Sequence, residues 1–280
     1  MIREFNIDDL EGVNNLINRG YIIDKIDVIK DVKERAEKFL IYREEEIKGF
    51  AYMIKSMDEE NRWNIQIYVD IEERRKGIGT KLYNELFNYL KEENPRCLVT
   101  EFRVDINDST GFYEKLGYKR WYRCPNLIYR GKEKFDLDID FIFYEDKYYD
   151  QYLKCTQECF YELRKNNDFK PYLVPKNEEE RHRLMENKDS IYLTLNNSEE
   201  IISTVTVKDG YIDNVMVSQK YQGKGYGKKI TQFAINRALD EGIESIYLCY
   251  VEGNDKANNL YKSLGFETLQ IIDIYRKYMN

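Results

Sequence analysis

QGKGYGKKITQFAINRALDEG, residues 222–242, decides how the chain reads: a glycine-rich turn runs straight into an amphipathic helix. On that helix Ile230, Phe233, Ala234 and Ala238 recur at helical spacing and form a buried face. Before the turn, Tyr211–Val217 has the alternation of a strand. A strand, Gly-x-Gly and a helix N-terminus bring several backbone N–H groups to one point, with the partial positive charge of a helix start, so this is a site for an anion such as a pyrophosphate. It is not a Walker loop, because Gln222 stands five positions before Gly227 and Lys229 takes the place of the metal-binding Ser or Thr. Ile230 in the last glycine position likewise excludes GxGxxG.

Working outward, the same turn occurs earlier as RRKGIGTKLYNELFNYLKE, residues 74–92. Gly77 and Gly225, Gly79 and Gly227, Tyr113 and Tyr261, Leu116 and Leu264, Gly117 and Gly265, and Tyr118 and Phe266 are all 148 positions apart. A second motif at an unchanged distance marks a duplication. Upstream the offset becomes 154, from Ile47 to Ile201, because Ser56–Asn61 is replaced by the shorter Lys208-Asp209-Gly210 in a strand-to-strand turn. Each copy reads as helices, then meander strands, then helix, strand, helix and strand. The early helices are Asp8–Asn18 and Asp24–Glu37 in the first copy, and Tyr148–Lys165 and Asn177–Glu186 in the second. The expected fold class is α/β: two tandem domains, each a mixed, mostly antiparallel sheet flanked by helices. Pro125-Asn126 is expected to turn the first copy's sixth strand into a seventh, Leu127–Arg130. The boundary then falls near Lys134, giving domains 1–134 and 135–280, with Phe135–Phe143 assignable to either sheet.

The 280 residues suit two domains, with 42% apolar and 14% aromatic residues to fill their cores. Mixed charges with a net of -7 argue against a nucleic-acid partner. Met1–Leu10 has no apolar run of a signal peptide, and no stretch has the roughly 20 apolar residues that cross a bilayer. The expectation is a soluble, cytoplasmic protein with no membrane partner. Five cysteines, one histidine and no CxxC pair predict reduced thiols and no metal site.

Taken singly, Tyr261 reads as core packing, and a Gly-x-Gly turn as a tight loop. Together they resemble the GNAT N-acetyltransferase superfamily, in which Q/R-x-x-G-x-G/A precedes an Asn-x-x-Ala-x-x-hydrophobic-Tyr helix that closes with Leu-Gly-Phe. The second copy matches throughout: Gln222, Gly225 and Gly227, then Asn254, Ala257, Leu260 and Tyr261, then Leu264, Gly265 and Phe266. The first has Arg74, Gly77, Gly79, Tyr113 and Gly117, but Ile106 where the asparagine should be and Asn107 one residue late. The tandem arrangement is similar to that of mycothiol synthase.

The resemblance implies direct transfer from acetyl-CoA to a primary amine of a small molecule or peptide. The fourth strand, Val215, Met216 and Val217, would hold the thioester, with the N–H groups of Val215 and Val217 on its oxygen. Gln222, Gly223, Lys224, Gly225, Tyr226, Gly227 and Lys228 would hold the pyrophosphate, and Asn254 the pantetheine arm. Tyr261 would protonate the departing thiolate. Asp213, on the face of Val215 and Val217 by period two, is the candidate base, with Tyr211 as fallback; a surface ion pair is the other reading of Asp213. In the first copy Ile67, Val69, Arg74, Arg75, Lys76, Gly77, Ile78, Gly79 and Thr80 form the corresponding acetyl-CoA site. Asp213 and Tyr211 correspond there to Ile65 and Trp63, so chemistry is expected in the second domain. The rival reading is an acyl-CoA-binding or sensing module without turnover.

Overall fold

The computed structural model describes residues 1–20, 28–56 and 61–279. In chain order the elements are β1 (Ile2–Glu4), α1 (Leu10–Gly20), α2 (Val28–Arg35), β2 (Lys38–Arg43), β3 (Ile47–Lys55), β4 (Arg62–Val69), α3 (Ile78–Glu93), β5 (Cys97–Arg103), α4 (Thr110–Lys115) and β6 (Lys119–Tyr129). They continue as β7 (Ile142–Phe143), α5 (Tyr149–Asn166), α6 (Glu178–Glu186), β8 (Ile191–Leu195), β9 (Ile201–Lys208), β10 (Tyr211–Val217), α7 (Tyr226–Asp240), β11 (Ile246–Cys249), α8 (Asp255–Ser263) and β12 (Glu267–Tyr278). The expected meander strands and glycine-led helices are all present. Part of the expected Asp24–Glu37 helix, and most of the Ser56–Asn61 turn, lie outside the described residues.

Two compact units form, Met1–Arg123 with Ile272–Asn280, and Cys124–Ile271. In the first unit β1, β2, β3 and β4 pair antiparallel in succession, and β4 pairs parallel with β5. Ile78, Leu82, Leu86 and Leu90, four apart, put one face of α3 into a core with Met53, Trp63, Ile65 and Leu98. Val13 and Leu16 of α1 pack with Ile41 and Phe50 in a separate cluster. The second unit repeats the plan: β7, β8, β9 and β10 are antiparallel, and β10 is parallel to β11. Ile230, Ala234 and Ala238 of α7 pack with Val205, Val207 and Ile246, while Tyr149, Tyr152 and Cys155 of α5 pack with Leu193 and Met216. Asp209 (φ 50°) and Gly210 (φ 80°) make the two-residue β9–β10 turn, whose left-handed pair suits the twist of a hairpin. The five cysteines are free thiols.

The units differ from the sequence expectation in their last strand. No turn forms at Pro125-Asn126, and Leu127–Arg130 is not a returning seventh strand of the first copy. Instead β6 runs through Pro125, and Asn126–Tyr129 pairs antiparallel with β11, inside the second unit. The strand beside β5 is supplied by the end of the chain, Ile272–Tyr278 of β12, paired with Arg103–Cys97. Each copy therefore completes the other's sheet. Proline lacks an N–H donor and is tolerated where ladder pairing changes, and Pro125 lies just before the β11 pairing, its carbonyl accepting from Tyr250 N at 3.3 Å. Contacts accordingly divide within β6 and within β12, not near Lys134. Phe135 and Phe141 pack on the second core, and β7 opens the second sheet. Among the described residues no helix is long and apolar enough to cross a membrane.

Candidate active site

In the second unit the decisive feature is a β-bulge in β10. Asp213 faces Thr206 and Met216 faces Thr204, so three steps on β10 match two on β9, and Asn214 takes a left-handed φ of 49°. The extra residue turns the strand over. Asp213 thus does not share a face with Val215 and Val217, as strict alternation predicts. It lies on the side of Thr206 and Met216, whereas Val215 packs with the α7 core and Met216 with the α5 core. Ser218 N donates to Ile202 O at 2.9 Å, toward β9. Because successive strand amides alternate in direction, the N–H of Val217 points the other way, into the gap between β10 and β11.

That gap is open. β10 and β11 pair only at Tyr211 and Tyr247, then diverge around a cavity of about 390 Å³ lined by Asp213, Asn214, Val215, Cys249, Asn254 and Tyr261 among others. Tyr261 is buried, stands edge-on to Phe266 at 6.0 Å, and its hydroxyl has no hydrogen-bond partner among the described residues. Burial, and then the nearness of Cys249 and Asp213, raises its pKa, which keeps the phenol protonated. Partial desolvation in the cavity likewise raises the Asp213 carboxyl. Asn254 caps α8, its Oδ1 accepting from Ala257 N at 3.2 Å. Tyr211, the fallback base, is exposed, stacked on Tyr247 at 5.3 Å, and outside the lining of the cavity that holds Asp213 and Tyr261.

The loop before α7 is shaped by Gly223 (φ 73°) and Gly225 (φ 86°), the second being the helix N-cap. Gln222 does not reach outward: its Nε2 donates to Val217 O at 3.0 Å and ties the loop to the strand end. Arg74 does the corresponding work in the first unit, with Nη1 donating to Asn107 O at 2.8 Å and Nε to Val69 O at 3.5 Å.

The first unit keeps the loop and closes the gap. Ile67, Val69, Arg74, Arg75, Gly77, Ile78, Gly79 and Thr80 line a cavity of about 360 Å³, with Tyr113 at its wall. Lys76 does not line it and pairs with Glu73 at 2.7 Å. β4 has no bulge, since its register with β3 is unbroken from Gly49–Val69 to Lys55–Trp63. Where β4 and β5 part after Asn64 and Val99, the buried Gln66 side chain bridges them. With the amide turned to the orientation that pairs both of its atoms, the nitrogen donates to Glu101 O at 2.9 Å and the oxygen accepts from Glu101 N at 3.1 Å. Ile65 and Trp63 are core residues, and Tyr113 stacks on Phe102 at 4.9 Å within an aromatic cluster. Glu101, on β5, which sequence reasoning did not single out, has an exposed side chain whose carboxyl pKa is raised by partial desolvation.

The sequence profile of the acetyltransferase (GNAT) family matches residues 11–118 and 145–266, once over each copy. The chain belongs to this family. Among curated GNAT relatives, the thialysine N-epsilon-acetyltransferase of Sus scrofa is 38% identical over 69 residues, 25% of this chain and 41% of that one. The [ribosomal protein bS18]-alanine N-acetyltransferase of Haemophilus ducreyi is 29% identical over 94 residues, 31% of this chain and 65% of that one. The chain thus spans about two fifths of the thialysine enzyme's length. Among solved structures, the GCN5-related N-acetyltransferase of Sphaerobacter thermophilus superposes with a TM-score of 0.80 at 15% identity, over 99% of this chain and 95% of that one. A tandem GNAT protein from the clavulanic acid biosynthesis pathway gives 0.68 at 12% identity, over 99% and 98%. At these identities the likeness is one of fold, and it extends to the tandem GNAT arrangement.

Proposed function

We propose that this protein is an N-acetyltransferase that moves the acetyl group of acetyl-CoA to a primary amine, with the chemistry in the second copy. The observation that carries the reading is one cavity that gathers an open strand gap, a bulged strand, a protonated tyrosine and a carboxylate of raised pKa. The donor's pyrophosphate binds the amides of the Gly223–Lys228 loop and the first turn of α7, its pantetheine lies between β10 and β11 beside Asn254, and the thioester oxygen accepts from Val217 N–H. Asp213 takes a proton from the acceptor's ammonium, directly or through water. The free amine then attacks the carbonyl carbon, the C–S bond breaks, and Tyr261 protonates the leaving thiolate. The products are the amide and CoA.

The first copy binds acetyl-CoA through its loop without turnover, because the Gln66 bridge occupies the place of the pantetheine and no bulge turns an amide outward. CoA release measured with a broad amine panel tests the activity. Saturable acetyl-CoA binding without CoA release from any amine would instead establish a binding module. In the active protein Tyr261→Phe or Asp213→Asn lowers kcat by roughly ten-fold or more, in the range of general acid–base effects, while Tyr113→Phe stays within a few-fold. The opposite ranking in folded variants would move the active site to the first copy.

A further inference from the structure

A second cavity of about 540 Å³ adjoins the first in the second unit, sharing Phe160, Arg164, Asp213 and Asn214 as lining. It lies on the Asp213 side of β10, where an acceptor reaches the thioester. Its two arginines differ in occupation. Arg183 is matched to the Glu180 carboxylate, with Nε at 3.0 Å and Nη2 at 2.7 Å. Arg164, near the end of α5, makes no ion pair among the described residues; its Nη1 donates to Pro171 O at 3.2 Å. Burial lowers the pKa of its guanidinium, and Glu180, the one acidic group acting on it, offsets this only in part. A half-buried guanidinium facing a cavity, with donors to spare, suits the two oxygens of a carboxylate. Across the same space Asp213 presents the opposite charge, so the wall between the cavities is arranged for a zwitterion.

Resting on the proposed activity, we infer that the acceptor is an amino acid: an amine whose own carboxylate is bound by Arg164 while its ammonium faces Asp213. Leu153, Phe160, Val174, Leu184 and Ile191 are among the apolar residues of the lining, so the remainder of the acceptor is not required to be charged. The carboxylate acts by binding the substrate in register with the thioester, and Arg164 takes no part in the proton transfers.

The test uses the full-length protein and matched amines that differ by the carboxylate: L-lysine against cadaverine, and L-phenylalanine against phenethylamine. For at least one pair, kcat/KM is expected to favour the carboxylated member by ten-fold or more. That ratio should collapse toward one in Arg164→Gln and survive in part in Arg164→Lys. Calorimetric titration with the N-acetylated products and their decarboxylated counterparts gives the same comparison without requiring turnover, and wild-type protein alone suffices if a variant does not fold. Equal kcat/KM or equal product affinity within both pairs, a preference for the decarboxylated member, or a ratio unchanged in Arg164→Gln would overturn the inference. Absence of CoA release with every amine sinks the proposed activity instead; the product titrations still decide whether Arg164 binds a carboxylate.

Discussion

Arg75 holds a left-handed backbone, φ 65°, at the position that Gly223 occupies in the second copy at φ 73°. A side chain in this region costs roughly 1–2 kcal/mol. At Gly225 an added Cβ would meet nothing within 4 Å, so Gly225→Ala tests the backbone alone. Urea unfolding should show a loss of about 1–2 kcal/mol, and acetyl-CoA affinity should fall because the helix start is displaced. At Asp213 the sign of the pH dependence follows from its proposed role as base. Its carboxyl must be ionised to accept a proton, and desolvation raises its pKa, so kcat/KM rises with pH along a limb above that of an ordinary carboxylate. In Asp213→Asn that limb should vanish from the pH profile. Persistence of the same limb would assign it to another group.

At the scale of elements, the two copies part company at one strand each. β10 carries a bulge and leaves its gap with β11 open, while β4 is regular and its gap with β5 is spanned by Gln66. The neutral amide satisfies both backbone groups of Glu101, which would otherwise face an opened gap, so Gln66→Ala removes two buried hydrogen bonds. A loss of about 1–3 kcal/mol is expected in thermal or urea unfolding. The same variant should tighten acetyl-CoA binding by the first copy, read by calorimetry in a Gly225→Ala background that weakens the second. Tighter binding in intact Gln66 protein would show that the amide is no plug. The helices and the loops were legible from spacing, because Ile78, Leu82, Leu86 and Leu90, or Gly223 and Gly225, act through neighbours a few residues away. The bulge was not. A one-residue slip between β9 and β10 depends on the fit of two strands and leaves the alternation of either one unchanged.

For the whole molecule, the reciprocal last strands make the two copies interdependent. Ile274 and Tyr275 are buried in the first unit, and Arg123 grips the buried Asp273 there, with Nη2 to Oδ2 at 2.9 Å. Deleting Ile272–Asn280 should therefore destabilise the first unit by several kcal/mol, on the order of the burial of two large side chains plus the loss of a part-buried ion pair, and uncover β5 as an edge. Differential scanning calorimetry checks this. For the same reason a fragment covering 124–271 should fold and bind acetyl-CoA better than one covering 135–280, which lacks Asn126–Tyr129 and carries an unpaired tail. Equal stability of the two fragments would mean that the exchange contributes little.

By itself the sequence determined the duplication, the glycine-rich loop, the helix faces and the placing of Asn254 and Tyr261 on the α8 turn, because each follows from spacing within a short stretch. Only the tertiary structure decided that Asp213 faces away from Val217, that Gln66 bridges β4 and β5, that Arg164 lines a cavity beside Asp213, and that β6 and β12 finish each other's sheets. These depend on strand register and on partners far apart in the chain, and backbone hydrogen bonding between strands is indifferent to which copy supplies the strand.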